Sequence, residues 1–172
     1  MEHHNLFFSS DLKKNLRQIF QDKVMPLDPS FYIHVPTVTD TSLAPKGKDI
    51  VYILIPVPNL EDNKDDIMQH EERLRKIIFD KVKKTIGIDL GPLIEVENRF
   101  YPRDFTCRYN IKHGATFGLA HNLMQSAFLR PANIDSRLKG LYFVGASTQP
   151  GGGLPVVIAS SKIVADNILG QR

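Results

Sequence analysis

At 172 residues the chain is long enough for one ordinary domain with a substantial core, and its 42% apolar and 24% charged residues exclude wholesale disorder. The net charge of +3 is mild and spread along the chain, which leaves no nucleic-acid footprint. The single cysteine, Cys107, excludes an internal disulfide framework, permits a reducing cytoplasm and reads as a buried or incidental thiol rather than a nucleophile.

In chain order, Asn5 to Phe8 predict a short strand, and Ser9, Ser10 or Asp11 is placed to cap a helix over about Asp11 to Gln21. That helix would bury Leu12, Leu16, Ile19 and Phe20. His3 and His4 are neighbours at a strand, where alternate side chains face opposite sides, so no metal site is expected there. Ser30 to Val35 predict a strand with Phe31, Ile33 and Val35 on one face against Tyr32 and His34 on the other. A polar loop with two prolines, Pro36 to Gly47, follows; its one acid, Asp40, reads either as an Asx-turn or helix cap or as an active-site carboxylate.

Ile50 to Val57, the longest apolar run, is strand-sized and far short of a transmembrane span. Being apolar on both faces, it predicts a central, doubly covered strand. The charged run Glu61 to Asp66 leads into a helix over about Lys64 to Ile86, with Leu74, Ile77, Ile78, Val82 and Ile86 as its buried stripe. Glu71–Arg75 and Glu72–Lys76 have favourable i,i+4 spacing, and Gly87 sits where a stop is expected. Ile94 to Tyr101 predict another strand, and Pro102 to Gly114 show no clear period. Phe117, Leu119, Leu123, Met124 and Phe128 line an apolar stretch that reads as core or as the wall of a greasy tunnel.

The last segment reads as strand, glycine turn and helix: Leu141 to Val144, then a turn with Gly145, Gly151, Gly152 and Gly153, then Val156 to Leu169 opened by Pro155. Such a turn is either a plain structural joint or a place where unpaired N–H groups at a helix start accept an electron-rich oxygen. No G-x-G-x-x-G and no P-loop motif occurs.

Three blocks in order resemble the bacterial and fungal phytoene-desaturase family, flavoproteins of the amine-oxidase-like superfamily. The first is Pro36, Thr39-Asp40, Ser42-Leu43-Ala44-Pro45 and Gly47. The second is Gln125-Ser126-Ala127 with Arg130-Pro131. The third is Val144-Gly145-Ala146, Ser147-Thr148-Gln149-Pro150-Gly151, Gly153-Leu154-Pro155 and Ala159-Ser160-Ser161-Lys162. Gln149 departs from the family, which usually has His there. The match runs from His3 to Leu169 and lacks the family's N-terminal dinucleotide fingerprint, so the resemblance implies the C-terminal third of such an enzyme.

What the resemblance implies is a mixed α/β fold in which residues 1–131 belong to a substrate-binding domain and 132–172 to a Rossmann-like FAD domain. FAD would be the cofactor, with Gly145, Ala146, Gly152, Gly153, Leu154, Pro155 and Val156 against the flavin. Phe117, Leu119, Leu123, Met124 and Phe128 would line the site of a long apolar polyene. Asp40 and His113 are the candidates near the reacting carbons. The whole enzyme would introduce double bonds by hydride transfer to flavin, a chemistry carried by the cofactor. A related carotenoid oxidase or isomerase, and a non-catalytic assembly fragment, are the alternatives. The implied location is cytoplasmic with peripheral membrane contact. The rest of the FAD site would come in cis or from a partner chain.

Overall fold

The computed structural model describes residues 1–61, 67–120, 122–126 and 129–170. The fold is mixed: the described residues form three short strands in one antiparallel sheet, four α-helices and several single-turn 3-10 segments. It divides into two compact units, Met1–Tyr101 and Pro102–Arg172.

In the first unit, β1 (His4–Phe7), β2 (Phe31–His34) and β3 (Tyr52–Leu54) lie in the order β1-β2-β3. The alternation of Phe31, Ile33 and Val35 puts all three into the core. Phe7 pairs directly with Phe31 and their rings stack 4.7 Å apart. Against this face the long helix α2 (Ile67–Ile86) lays Ile78 and Val82, with Leu90 from the following loop. Full burial of Ile33 and Val82 stabilises the fold by about 1.5–3 kcal/mol each. Leu74 packs with Met25 in a smaller cluster beside Val57 and Tyr101. Gly87 ends α2 at φ 75°, as its position predicts.

Several expectations are corrected here. The run Ile50–Val57 pairs over only three residues and lies at the sheet edge; β2 is the central strand. The first helix, α1 (Leu12–Arg17), is capped by Asp11 and passes into a π-helical turn, Gln18–Asp22. It turns Asn15 and Ile19 inward, leaving Leu12, Leu16 and Phe20 exposed. The Asn15 side chain accepts the Ser30 N–H at 3.2 Å, a contact that a hydrophobic pattern does not reveal. In α2, Ile86 is exposed and Ile77 only half-buried.

Ile94–Tyr101 forms no strand. Its acids and Arg99 tie the segment down through side chains: Glu95 to Lys48, Glu97 to Arg75, and Arg99 to Glu71, Glu72 and Glu97. Arg75 therefore pairs with Glu97 at 3.1 Å, and Glu71 and Glu72 pair with Arg99; the i,i+4 spacing within the helix is overridden. The expected entry of α2 over Lys64 to Asp66 lies outside the described residues.

In the second unit, the aperiodic stretch after Tyr101 forms a helix, α3 (Pro102–Tyr109), with Asp104 in its first turn and Arg108 in its last. Cys107 on α3 is exposed, not buried. Leu141–Val144 is not a full strand: a single bridge joins Ile134 to Tyr142, flanked by bonds from Phe143 N to Asn133 O (2.8 Å) and Asp135 N to Leu141 O (3.0 Å). The last helix, α4 (Leu154–Leu169), starts two residues earlier than the periodicity suggests, with Pro155 in its first turn and Gly170 ending it in the left-handed region.

Candidate functional site

The second unit is organised around two buried polar side chains. Arg130 is 2% exposed, and all five of its N–H donors are met by backbone carbonyls. Nε donates to Thr148 O (3.1 Å). Nη1 donates to Gln125 O (2.9 Å) and Ala120 O (3.5 Å). Nη2 donates to Leu119 O (3.1 Å) and to Ala146 O. No carboxylate pairs with it among the described residues. The guanidinium serves as a planar set of donors that fixes three irregular stretches of backbone at once.

Asn133 does the same from the other side. Its Nδ2 lies 3.0 Å from Phe143 O, 2.9 Å from Gln149 O, 3.2 Å from Thr148 Oγ1 and 3.0 Å from Ser160 Oγ, so two hydrogens are shared among four acceptors. Ser160, fully buried on α4, also accepts Gly145 N–H at 3.4 Å. Thr148 donates its hydroxyl to Gly145 O at 3.1 Å. Together these contacts clamp the turn 145–149 between Arg130, Asn133 and the second turn of α4.

The turn itself needs glycine. Gly145 (φ 132°), Gly151 (φ 144°) and Gly153 (φ 108°) adopt conformations that other residues reach only with strain. A Cβ at Gly145 would meet nothing within 4 Å, and one at Gly153 only Val156 Cγ2 at 3.9 Å, so the space beside both is open. Gly153 is the N-cap of α4 and no side chain caps the helix. Pro155 removes one donor, so the Leu154 and Val156 N–H groups form the polar rim of this helix start. Leu154 and Pro155 are exposed, while Ala146, Gly152 and Val156 are half-buried. The seven residues expected against a cofactor thus cluster at one turn and one helix end. Gln149, the departure from the family pattern, is held inward: its N–H bonds Pro131 O at 3.0 Å and its side chain bonds Arg130 O at 3.4 Å.

The apolar candidates are not core. Leu123 (86% exposed), Met124 and Phe117 stand at the surface, with Leu119 half-buried; Phe128 lies outside the described residues. His113 sits in a single 3-10 turn, Lys112–Gly114, at φ 56°. Asp40, in the first unit, is exposed and caps the turn Thr41–Leu43, accepting the Ser42 hydroxyl at 2.6 Å and the Ser42 N–H at 2.9 Å. Those two bonds hold its carboxyl below the usual 3.8. The capping reading of Asp40 is therefore the one the geometry carries. A shallow depression of about 400 Å³ lined by Gln18, Val24, Met25, Leu27, His70 and Arg73 contains none of the predicted residues.

Sequence reasoning missed Arg130, Asn133 and Ser160 as a working group, because their partners are backbone atoms scattered through irregular chain. The available signal was an arginine in an apolar stretch, with an asparagine three residues on. It also set His3 and His4 apart, and this is corrected. His3 lies in a bend before β1, where strand alternation does not apply, and its Nε2 lies 2.8 Å from His34 Nε2.

No family model matches the chain. Curated relatives do. The zeta-carotene-forming phytoene desaturase of Myxococcus xanthus is 42% identical over 168 residues, covering 97% of this chain and 32% of that protein. The 4,4'-diapophytoene desaturase (4,4'-diaponeurosporene-forming) of Staphylococcus haemolyticus is 41% identical over 169 residues, covering 96% and 34%. That of Staphylococcus aureus is 40% identical over 173 residues, covering 96% and 34%. The chain spans about a third of the length of these relatives. The resemblance to carotenoid desaturases is thereby established along nearly the whole chain.

Proposed function

We propose that this chain is part of an FAD-dependent carotenoid desaturase acting on a phytoene- or diapophytoene-type polyene. The observation that carries the reading is the 40–42% identity to such desaturases across almost the entire chain. The glycine turn is compatible with a flavin on physical grounds: an uncapped helix start and open space beside Gly145 and Gly153 suit a planar, carbonyl-bearing group. Gly145, Ala146 and residues 152–156 would hold it. Bound there, FAD would supply the hydride-accepting chemistry that makes a new double bond.

The chain's own residues position and exclude. Arg130 and Asn133 fix the turn's backbone before any cofactor arrives, so the open face is formed in advance. The exposed side chains of Phe117, Leu123 and Met124 offer apolar surface for a polyene or for peripheral contact with the bilayer that stores it. His113 is the remaining candidate near the reacting carbons, Asp40 being engaged as the cap of Thr41–Leu43. Residues 1–131 would serve the substrate domain and 132–172 the flavin domain. No described helix is long and apolar enough to cross a membrane.

The test is a chimera in which this chain replaces the matching third of the Myxococcus xanthus enzyme, expressed in cells that accumulate phytoene. New conjugated polyene, read by absorbance, is the expected result. A folded, flavin-loaded chimera that leaves phytoene untouched overturns the desaturase reading; oxygenated product from a preformed polyene would move it to a carotenoid oxidase. The chain alone is expected neither to hold FAD tightly nor to turn over, and stoichiometric flavin in the purified chain would contradict that.

A further inference from the structure

Directly opposed residues in an antiparallel pair share a face, so the side of the sheet turned away from α2 carries His4, Leu6, Tyr32, His34, Tyr52 and Leu54. His4 stands opposite His34, with ring centroids 5.2 Å apart. His3 is drawn onto the same face by its bend, its carbonyl accepting Val35 N–H at 2.9 Å and its ring lying 4.7 Å from that of His34. One ring nitrogen from each of the three lies within 4.8 Å of the others.

We propose that His3, His4 and His34 form a site for a divalent transition-metal ion of the zinc class. The orientation of the rings supports it. His3 Nδ1 bonds the Thr39 hydroxyl, and His4 Nδ1 bonds the Tyr32 hydroxyl at 2.6 Å. Each bond leaves Nε2 as the ligating atom, and each is the outer contact that a metal-bound imidazole needs to fix its tautomer.

The 2.8 Å contact between His3 Nε2 and His34 Nε2 is a hydrogen bond between the two rings; a zinc ion with bonds of about 2.0–2.1 Å would replace it by moving these atoms to roughly 3.3 Å apart. No two of these nitrogens are more than 4.8 Å apart, so gathering them around one ion takes a shift of at most about 1.5 Å, available to the exposed His4 ring by rotation about its side-chain bonds. Three imidazoles leave a fourth position for water. The ion would clip the bend before β1 to the central strand.

The experiment uses the untagged full chain, stripped with a chelator and titrated with Co²⁺ as the visible probe, then with Zn²⁺. One Co²⁺ per chain with four-coordinate d–d absorption, displaced by Zn²⁺, and a rise in melting temperature with Zn²⁺ are expected. His4→Ala and His34→Ala should each weaken binding by at least about tenfold, with unchanged far-ultraviolet circular dichroism. His34→Gln, which keeps the side chain's bulk, serves if the alanine variant misfolds. No saturable one-to-one binding, or binding that survives both the His4 and the His34 substitutions, overturns the proposal.

Discussion

Replacing Arg130 with methionine keeps the apolar stem and removes the five donors. The carbonyls of Leu119, Ala120, Gln125, Ala146 and Thr148 then lose their partner together. Hydrogen bonds from a charged donor contribute about 1.5–3 kcal/mol each, which summed over five gives roughly 10 kcal/mol gross. Two terms offset this. Removing a buried guanidinium returns a desolvation cost of several kcal/mol, and the carbonyls nearer the surface regain water. The net loss expected for Arg130→Met is on the order of 3–5 kcal/mol, a large share of the roughly 5–15 kcal/mol that holds an ordinary domain folded. Arg130→Lys keeps the charge but offers three donors in the wrong geometry, so a loss of about 2–3 kcal/mol is expected. Urea unfolding followed by circular dichroism gives the size. Amide exchange over 119–125 and 144–149 should accelerate before it does in β2 or α2. A shift under about 1 kcal/mol in Arg130→Met, or Arg130→Lys matching wild type, would refute the reasoning.

Other outcomes follow from single contacts. Gly114 and Gly47 both have positive φ, but a Cβ on Gly114 would fall 2.1 Å from Pro102 O, whereas Gly47 meets nothing within 4 Å. Gly47→Ala should cost about 1–2 kcal/mol from its left-handed backbone alone and Gly114→Ala clearly more; equal urea midpoints would discard the steric argument. Glu71 is held below 4.5 by Tyr101 and then Arg99, and Glu97 by Arg75 and then Arg99. Both folded-state values are depressed, so their contribution is present above about pH 4.5 and is lost as pH falls through the folded pKa values. The melting-temperature gap between wild type and Arg99→Met should therefore shrink from pH 7 towards pH 3, and an unchanged gap would mean that the network does not act through charge. Gly153→Ala, at φ 108°, should lower the flavin-to-protein ratio of the chimeric desaturase while leaving the helical signal intact; undiminished flavin would remove Gly153 from the cofactor's surroundings.

Features set by local chemistry were legible in the sequence. Phe31, Ile33 and Val35 read as a one-faced strand and are one, because period-2 burial is imposed residue by residue. Gly87 and Pro155 mark helix ends, since each is constrained by its own backbone. The three motif blocks pointed to the right relatives. What failed depended on partners distant in sequence. Ile50–Val57 looks central and doubly covered, yet among the described residues β3 pairs with β2 alone, and Tyr52 on the face away from α2 is exposed. Leu12, Leu16 and Phe20 form an apolar stripe that stays exposed among the described residues, because Asn15 is the residue that reaches Ser30. His3 escaped because the bend preceding β1 breaks the alternation assumed for it.

That no acid stands beside Arg130 among the described residues has a reason in the backbone around it. A sheet or helix satisfies its own carbonyls, but among the described residues the second unit has one β-bridge, and the stretches 115–120, 122–126 and 144–153 have neither strand nor α-helix. Irregular buried carbonyls must find donors elsewhere. A carboxylate would neutralise the guanidinium and at the same time take up the N–H groups those carbonyls require. Five carbonyl dipoles do both jobs, solvating the charge and being satisfied by it. The arrangement also sets the orientation of the glycine turn. A trans peptide carries its N–H opposite its C=O, so turning Ala146 O inward to Arg130 turns the Ser147 N–H outward. Arg130 thus fixes the direction of this peptide within the turn while itself staying buried.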